Sequence, residues 1–165
     1  LDYVFAPLKY ARLDYVAQKA VEMGVRRLRP VITRRAQAGR VNLERLRANA
    51  VEAAEQCGVI WLPEILPDVP LLAALKEWPV DRLLIFCDEE APLSDPIAAL
   101  DDRGARGRAM ALLVGPEGGF EEDEREMILR VPNVVRISLG PRILRADTAA
   151  VAALALIQAK LGDWG

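Results

Sequence analysis

M-A-L-L-V-G-P-E-G-G-F, from Met110 to Phe120, and R-I-S-L-G-P-R-I-L-R-A-D-T-A-A, from Arg136 to Ala150, decide how this chain reads. Both lie in the last third, Ala109 to Leu161. Each opens as an apolar run of strand type, breaks at Gly-Pro and turns into a segment of helix type. In an open α/β sheet, ligands sit outside the carboxyl ends of the strands. Two such loops in succession predict one small-molecule site built from both.

Met110 to Val114 is continuously apolar, as expected of a strand covered on both faces. Gly115, Gly118 and Gly119 free the backbone to take positive φ and let a ligand approach closely. Pro116 stiffens the turn. The run E-E-D-E-R-E that follows, Glu121 to Glu126, puts carboxylates in the first turn of a helix, where they complement its dipole. The same carboxylates repel phosphate, which needs bare N–H groups and a cation. Neither G-x-x-x-x-G-K-[ST] nor G-x-G-x-x-G is present. The loop suits a neutral or positive ligand head, or is a tight turn with no ligand.

In the second loop Val134 to Leu139 alternates as a strand does, and Gly140-Pro141 ends it. Arg142 and Arg145 follow. Asp147 and Thr148 are good N-cap types. From Ala149 the run A-A-V-A-A-L-A-L-I-Q-A-K-L is apolar nearly all round, so it is expected to be buried. Unpaired charge between a sheet edge and a buried helix is costly, which argues against arginines there that only solvate a surface.

These two loops resemble the ribosomal RNA small subunit methyltransferase E family, through G-P-E-G-G-F and the later L-G-P-R-I-L-R-x-[DE]-T-A. Supporting patches are Q-K-A-V-E-M-G-V (Gln18 to Val25), R-P-V-I-T-R-R (Arg29 to Arg35), E-A-A-E-Q-C-G (Glu52 to Gly58) and L-P-E-I (Leu62 to Ile65). The resemblance covers essentially the whole chain. It implies a SPOUT-class α/β domain with a C-terminal trefoil knot, an exception to the rule that chains do not knot. It also implies a homodimer, with the Ala149 to Leu161 helix as a natural interface element. The implied activity is methylation of N3 of a uridine in 16S ribosomal RNA within the small ribosomal subunit, with S-adenosylmethionine as cofactor.

Residue by residue, the resemblance assigns cofactor binding to Leu113, Gly115, Pro116, Glu117, Gly118, Ile137, Leu139, Gly140, Leu144 and Thr148. Methyl transfer from a sulfonium needs positioning more than side-chain chemistry. Uridine N3 must lose its proton, and charge then spreads to the flanking carbonyls. A fixed guanidinium would stabilise that charge. Arg145 is the first choice and Arg142 the second, though either also suits an RNA phosphate. Asp147 orients an arginine or accepts the proton, or is a plain N-cap. The family commonly has Thr-Glu where this chain has Ala146-Asp147, and often Arg where this chain has Val59. The family also carries an N-terminal β-rich RNA-binding domain. This chain opens at about the point where that domain would end, so residues 1–165 are expected to be the methyltransferase domain alone. A ribose 2′-O methyltransferase of the same superfamily and a catalytically silent RNA-binding or dimerisation module are the competing readings.

The chain has 165 residues, enough for one domain with a real core. Its net charge of −2 is unevenly spread: residues 1–50 hold 11 Lys/Arg against 4 Asp/Glu, and the remainder holds 11 against 20. Eight arginines and one acid, Glu44, lie between Arg26 and Arg47. Arginine suits phosphate forks and base stacking. Arg26, Arg27, Arg34 and Arg35 are therefore candidate RNA contacts, or a salt-bridged surface facing the acidic half. With three Trp and three Phe, the chain reads as short of an aromatic stacking platform. The target base must be unpaired or flipped out to expose N3.

There is no His and no C-x-x-C, so no zinc site is expected. Cys57 and Cys87 read as reduced core thiols of a cytoplasmic protein. No membrane span or signal peptide is visible.

Helices are expected at Arg12–Met23, from Asn42 to Cys57 with Gly58 as the stop, at Leu71–Glu77 and at Ile97–Asp102. Strands are expected at Leu28–Thr33, Val59–Ile65 (interrupted at Pro63), Arg82–Cys87 and in the two loops' lead-ins. Pro30 hints at a strand start or an edge. Asp88 to Glu90 read as a solvated acidic loop that within the resemblance borders the cofactor. Alternating strands and helices, with about five strands, predict an α/β, mostly parallel sheet with helices on both faces.

Overall fold

Among the described residues, seven parallel strands make one sheet around which the helices of the computed structural model are laid. The structure describes residues 1–36, 40–91, 95–101 and 107–164. Most of the expected turns at 37–40 and 104–107 lie outside them, as do residue 102 and Pro92, the end of the acidic loop.

The elements run β1 (Asp2–Phe5), α1 (Tyr10–Glu22), β2 (Arg27–Ile32), α2 (Leu43–Cys57), β3 (Glu64–Ile65), β4 (Val69–Pro70), α3 (Leu71–Lys76), β5 (Leu83–Cys87), α4 (Pro96–Asp101), β6 (Met110–Val114), α5 (Glu122–Leu129), β7 (Val134–Ile137) and α6 (Ala146–Leu161). The sheet order is β3-β2-β1-β6-β5-β7, with β4 also on β2. The expected parallel sheet with helices on both faces is what forms.

Alternation along the strands sorts side chains into two cores. Tyr3, Leu28, Ile85, Leu112 and Ile137 face α1, α2, α4 and α6. Val4, Leu84, Phe86, Ala111 and Leu113 face α3 and α5. Each fully buried leucine of such a core contributes roughly 1.5–3 kcal/mol.

Two strands escaped the sequence pattern. β1 is only four residues long and has no alternation, because both of its faces are buried. β4 is two residues at a proline, where a turn was expected. Pro63 lacks a donor, and only Glu64–Ile65 of the expected Val59–Ile65 strand joins the sheet. Pro30 pairs with Phe5 on one side, while on the other β3 has stopped and β4 has not begun. Its missing N–H falls at that break in the edge ladder.

α2 starts as its sequence predicts. The Asn42 side-chain oxygen accepts from the Arg45 amide at 3.0 Å, and Gly58 ends the helix. Asn42→Ala is expected to cost about 1 kcal/mol, lowering Tm by about 2–4 °C in a thermal melt.

At α6 the expectation needs correcting. Arg145 occupies the N-cap position and the helix begins at Ala146, so Asp147 and Thr148 lie inside the first turn. The helix is not buried all round: Ala150, Ala153, Leu154 and Ile157 are fully buried, while Val151, Ala152, Ala155 and Leu156 are half-buried. Cys57 is also no core thiol but is exposed at the end of α2. No helix among the described residues is long and apolar enough to cross a membrane.

Candidate active site

The carboxyl ends of β6, β5 and β7 lie side by side in that order. The loops that leave them enclose a cleft of about 440 Å³. This is within the range of small-molecule pockets, roughly 300–1,000 Å³. Of the expected ligand-binding residues, Gly115, Pro116, Glu117, Gly118, Ile137, Leu139, Gly140 and Leu144 line it, as does Arg142. Both loops thus meet in one site. Leu113 does not line it: its side chain lies in the α3/α5 core, and the lining begins at the next residue, Val114. Thr148 is exposed on α6 and does not line it either.

Of the three glycines of the first loop only Gly119 takes positive φ, at 70°. Gly115 serves differently: a Cβ there would lie 2.6 Å from the Phe120 ring, which packs edge-on to Phe86 at 5.5 Å. In the second loop Gly140 has φ 96°.

Arg145 stands apart from the cleft. It is two-thirds exposed, with its guanidinium 3.9 Å from a Glu117 carboxylate oxygen that also pairs with Arg12. Asp147 lies in the first turn of α6, where one of its carboxylate oxygens accepts from the Thr148 amide at 2.8 Å.

The feature the sequence did not disclose is a buried carboxylate under the cleft. Asp88 follows β5 and is a solvated loop residue only by sequence, since its side chain is 2% exposed. Arg125 of α5 donates to both Asp88 oxygens at 3.0 and 3.2 Å. Arg136 of β7 donates at 2.7 Å and also reaches the Glu90 carbonyl at 2.9 Å. The Glu90 amide closes the turn on Asp88 at 3.1 Å. Burial pushes the Asp88 carboxyl up, but the arginine and amide hydrogen bonds prevail and hold it below the usual range. Beside it, burial pushes the Cys87 thiol up to about 12, so this cleft residue is a neutral thiol. Glu89 and Glu90 stay exposed at the rim.

The four candidate RNA arginines are divided. Arg26 and Arg27 sit where β2 begins, at the end of the sheet away from the cleft. Arg26 stacks 3.9 Å over the Trp61 ring, and Arg27 pairs with Glu64 at 3.1 Å. Arg34 and Arg35 lie past the end of β2, at the cleft. Arg34 pairs with Asp123 at 2.9 Å, and Arg35 pairs with Glu121 at 2.7 Å and donates to the Gly118 carbonyl at 2.8 Å. Buried Glu124 ties the two segments, accepting from the Arg34 amide at 2.9 Å and the Glu121 amide at 3.1 Å. The four candidate arginines therefore form two patches, and the one at the cleft is already matched to the acidic start of α5.

A family model described as an RNA methyltransferase domain matches residues 1–158. The ribosomal RNA small subunit methyltransferase E of Rickettsia conorii is 32% identical over 96% of this chain and 64% of its own length. Its Bacillus subtilis namesake is 28% identical over 88% and 60%. The chain thus spans a little under two thirds of these relatives. Among solved structures, the ribosomal RNA small subunit methyltransferase E of Neisseria gonorrhoeae bound to S-adenosyl methionine superposes with a TM-score of 0.85 at 30% identity, over 99% of this chain and 67% of that one. A putative Legionella pneumophila methyltransferase in complex with the same cofactor gives 0.81 at 32% identity, over 96% and 66%. The SpoU methyltransferase AviRb of Streptomyces viridochromogenes, at 17% identity and a TM-score of 0.61 over 98% of this chain and 59% of that one, shares the fold. The chain belongs to the RNA methyltransferase domain family, beside the ribosomal RNA small subunit methyltransferase E proteins that it resembles.

Proposed function

We propose that this chain is the catalytic domain of an S-adenosylmethionine-dependent methyltransferase acting on N3 of a uridine in 16S ribosomal RNA of the small subunit. The observation that carries the reading is the single cleft formed by both Gly-Pro loops at the ends of β6 and β7. The cleft suits the cofactor chemically. It offers open backbone at Gly115 to Gly119 and Ser138 to Gly140, an apolar wall at Ile137, Leu139 and Leu144, and the carboxylates of Glu89, Glu90 and Glu117 to face a cation. The bound cofactor supplies an electrophilic methyl group on a sulfonium.

The protein's own work is to hold the uridine edge and its developing charge. Arg142 lines the cleft, and Arg145 sits at its outer side against Glu117. A guanidinium aimed at the uridine carbonyls stabilises the anion that forms as N3 loses its proton. Arg34 and Arg35 are the RNA-contact candidates retained at this end of the sheet, each able to leave an exposed carboxylate partner for a phosphate.

The half-buried apolar row Val151, Ala152, Ala155 and Leu156 on α6 supports a homodimer. In the same reading the chain carries the knot of the SPOUT class, acts in the cytoplasm, uses no metal and works with an N-terminal RNA-binding domain as its relatives' extra length allows.

Calorimetric titration with S-adenosylmethionine tests the reading. Micromolar binding is expected, weakened at least about tenfold in Gly118→Val. An ideal Cβ at Gly118 meets only the Arg35 side chain, at 3.5 Å, so the branched side chain fills the cleft without disturbing the fold. No binding by the folded wild-type chain would shift the reading to a catalytically silent module.

A further inference from the structure

Beside the cleft lies a second hollow of about 190 Å³, lined by the cations Lys9, Arg12 and Arg145, by Pro7 and Leu8, and by Pro116 and Glu117 of the first loop. Pro116 and Glu117 line both spaces, so the hollow adjoins the cleft through that loop. Tyr10 follows Lys9 directly. The residue is 81% exposed, and its backbone has φ 36° in the left-handed region that L side chains rarely adopt. An exposed aromatic on a strained backbone has no packing reason to be there, and strain of this kind collects at binding sites.

Single-stranded RNA is gripped by cations that track its phosphates and by aromatic faces on which its bases stack. Both parts occur here within four residues, next to the cleft. Resting on the methyltransferase reading, we propose that Lys9, Tyr10 and Arg12 form a strand-holding subsite: Tyr10 stacks the base next to the target uridine, and Lys9 and Arg12 hold the phosphates that flank it. The chain thus has the stacking platform that its aromatic count did not suggest. Glu117, paired with Arg12, is the group that an arriving phosphate displaces.

The test is fluorescence polarisation of a labelled ten-nucleotide oligouridine with the full chain at low salt, together with calorimetric titration of S-adenosylmethionine for each variant. Tyr10→Gly is expected to weaken oligouridine binding about tenfold and, by relieving the left-handed backbone, to raise Tm by about 2–4 °C. Tyr10→Phe keeps the affinity. Lys9→Gln lowers the salt slope of log K by about one. Affinity unchanged in Tyr10→Gly, affinity lost equally in Tyr10→Phe, or no oligouridine binding by the wild-type chain would each overturn the subsite. The two readings separate cleanly: cofactor binding with no Tyr10 effect leaves the methyltransferase reading standing without the subsite, and a Tyr10 effect with no cofactor binding does the reverse.

Discussion

Arg145→Ala is expected to lower methyl-transfer turnover on 30S subunits about 100-fold or more while leaving S-adenosylmethionine affinity within about twofold. The magnitude is that of removing one fixed donor from a developing anion, roughly 2.7–4 kcal/mol. The split between turnover and affinity follows from geometry. Arg145 does not line the cleft, and its guanidinium lies outside it, 3.9 Å from Glu117. Its removal therefore takes away nothing that lines the cofactor cleft.

Arg142 supplies the contrast, because it does line the cleft. Arg142→Ala is expected to weaken cofactor binding as well as turnover. A group that acts only in the transition state lowers kcat and kcat/KM together. Turnover of Arg145→Ala equal to wild type would remove it from catalysis and leave Arg142 as the charge-stabilising group. A loss confined to KM for the subunit would instead make Arg145 an RNA-phosphate contact.

What the residues disclosed in advance was local chemistry. Gly-Pro breaks after apolar runs marked two loops, and the Asn42 to Gly58 helix was bounded by its own caps. What they hid was set by neighbours far along the chain. Asp88, Arg125 and Arg136 meet only because β7 adds to the edge of β5 and α5 packs across the same end. A charged residue at an inner strand position such as Arg136 is the one signal that a buried partner exists, and it does not say which. The four candidate arginines show the same limit. Counting charge along the sequence merged two patches that β2 separates by its full length. α6 began earlier than its N-cap types suggested because Arg145 already holds extended backbone, φ −65° and ψ 151°, and takes the cap position.

The second large effect is structural. Asp88→Asn is expected to destabilise the fold by about 3 kcal/mol, a Tm drop of about 6–12 °C. Removing one partner of a buried pair leaves charge under-compensated: without the Asp88 carboxylate, Arg125 keeps only the exposed Glu90 carboxylate at 3.3 Å and Arg136 only the Glu90 carbonyl at 2.9 Å. Arg125 and Arg136 are 20% and 32% exposed, so water relieves part of the cost and the low end of the usual 3–5 kcal/mol range applies. The pH dependence checks the cause. The folded-state pKa of Asp88 is depressed, so its contribution is fully present above the unfolded value near 4 and is lost as pH falls through the folded one. Melts of the wild type between pH 7 and pH 2 should therefore fall more steeply below about pH 4 than those of Asp88→Asn, and the two curves should converge. Parallel curves would mean that the variant's loss comes from packing and not from charge. Because Asp88 and Arg125 also wall the cleft, the variant should bind S-adenosylmethionine more weakly even at temperatures where it is fully folded.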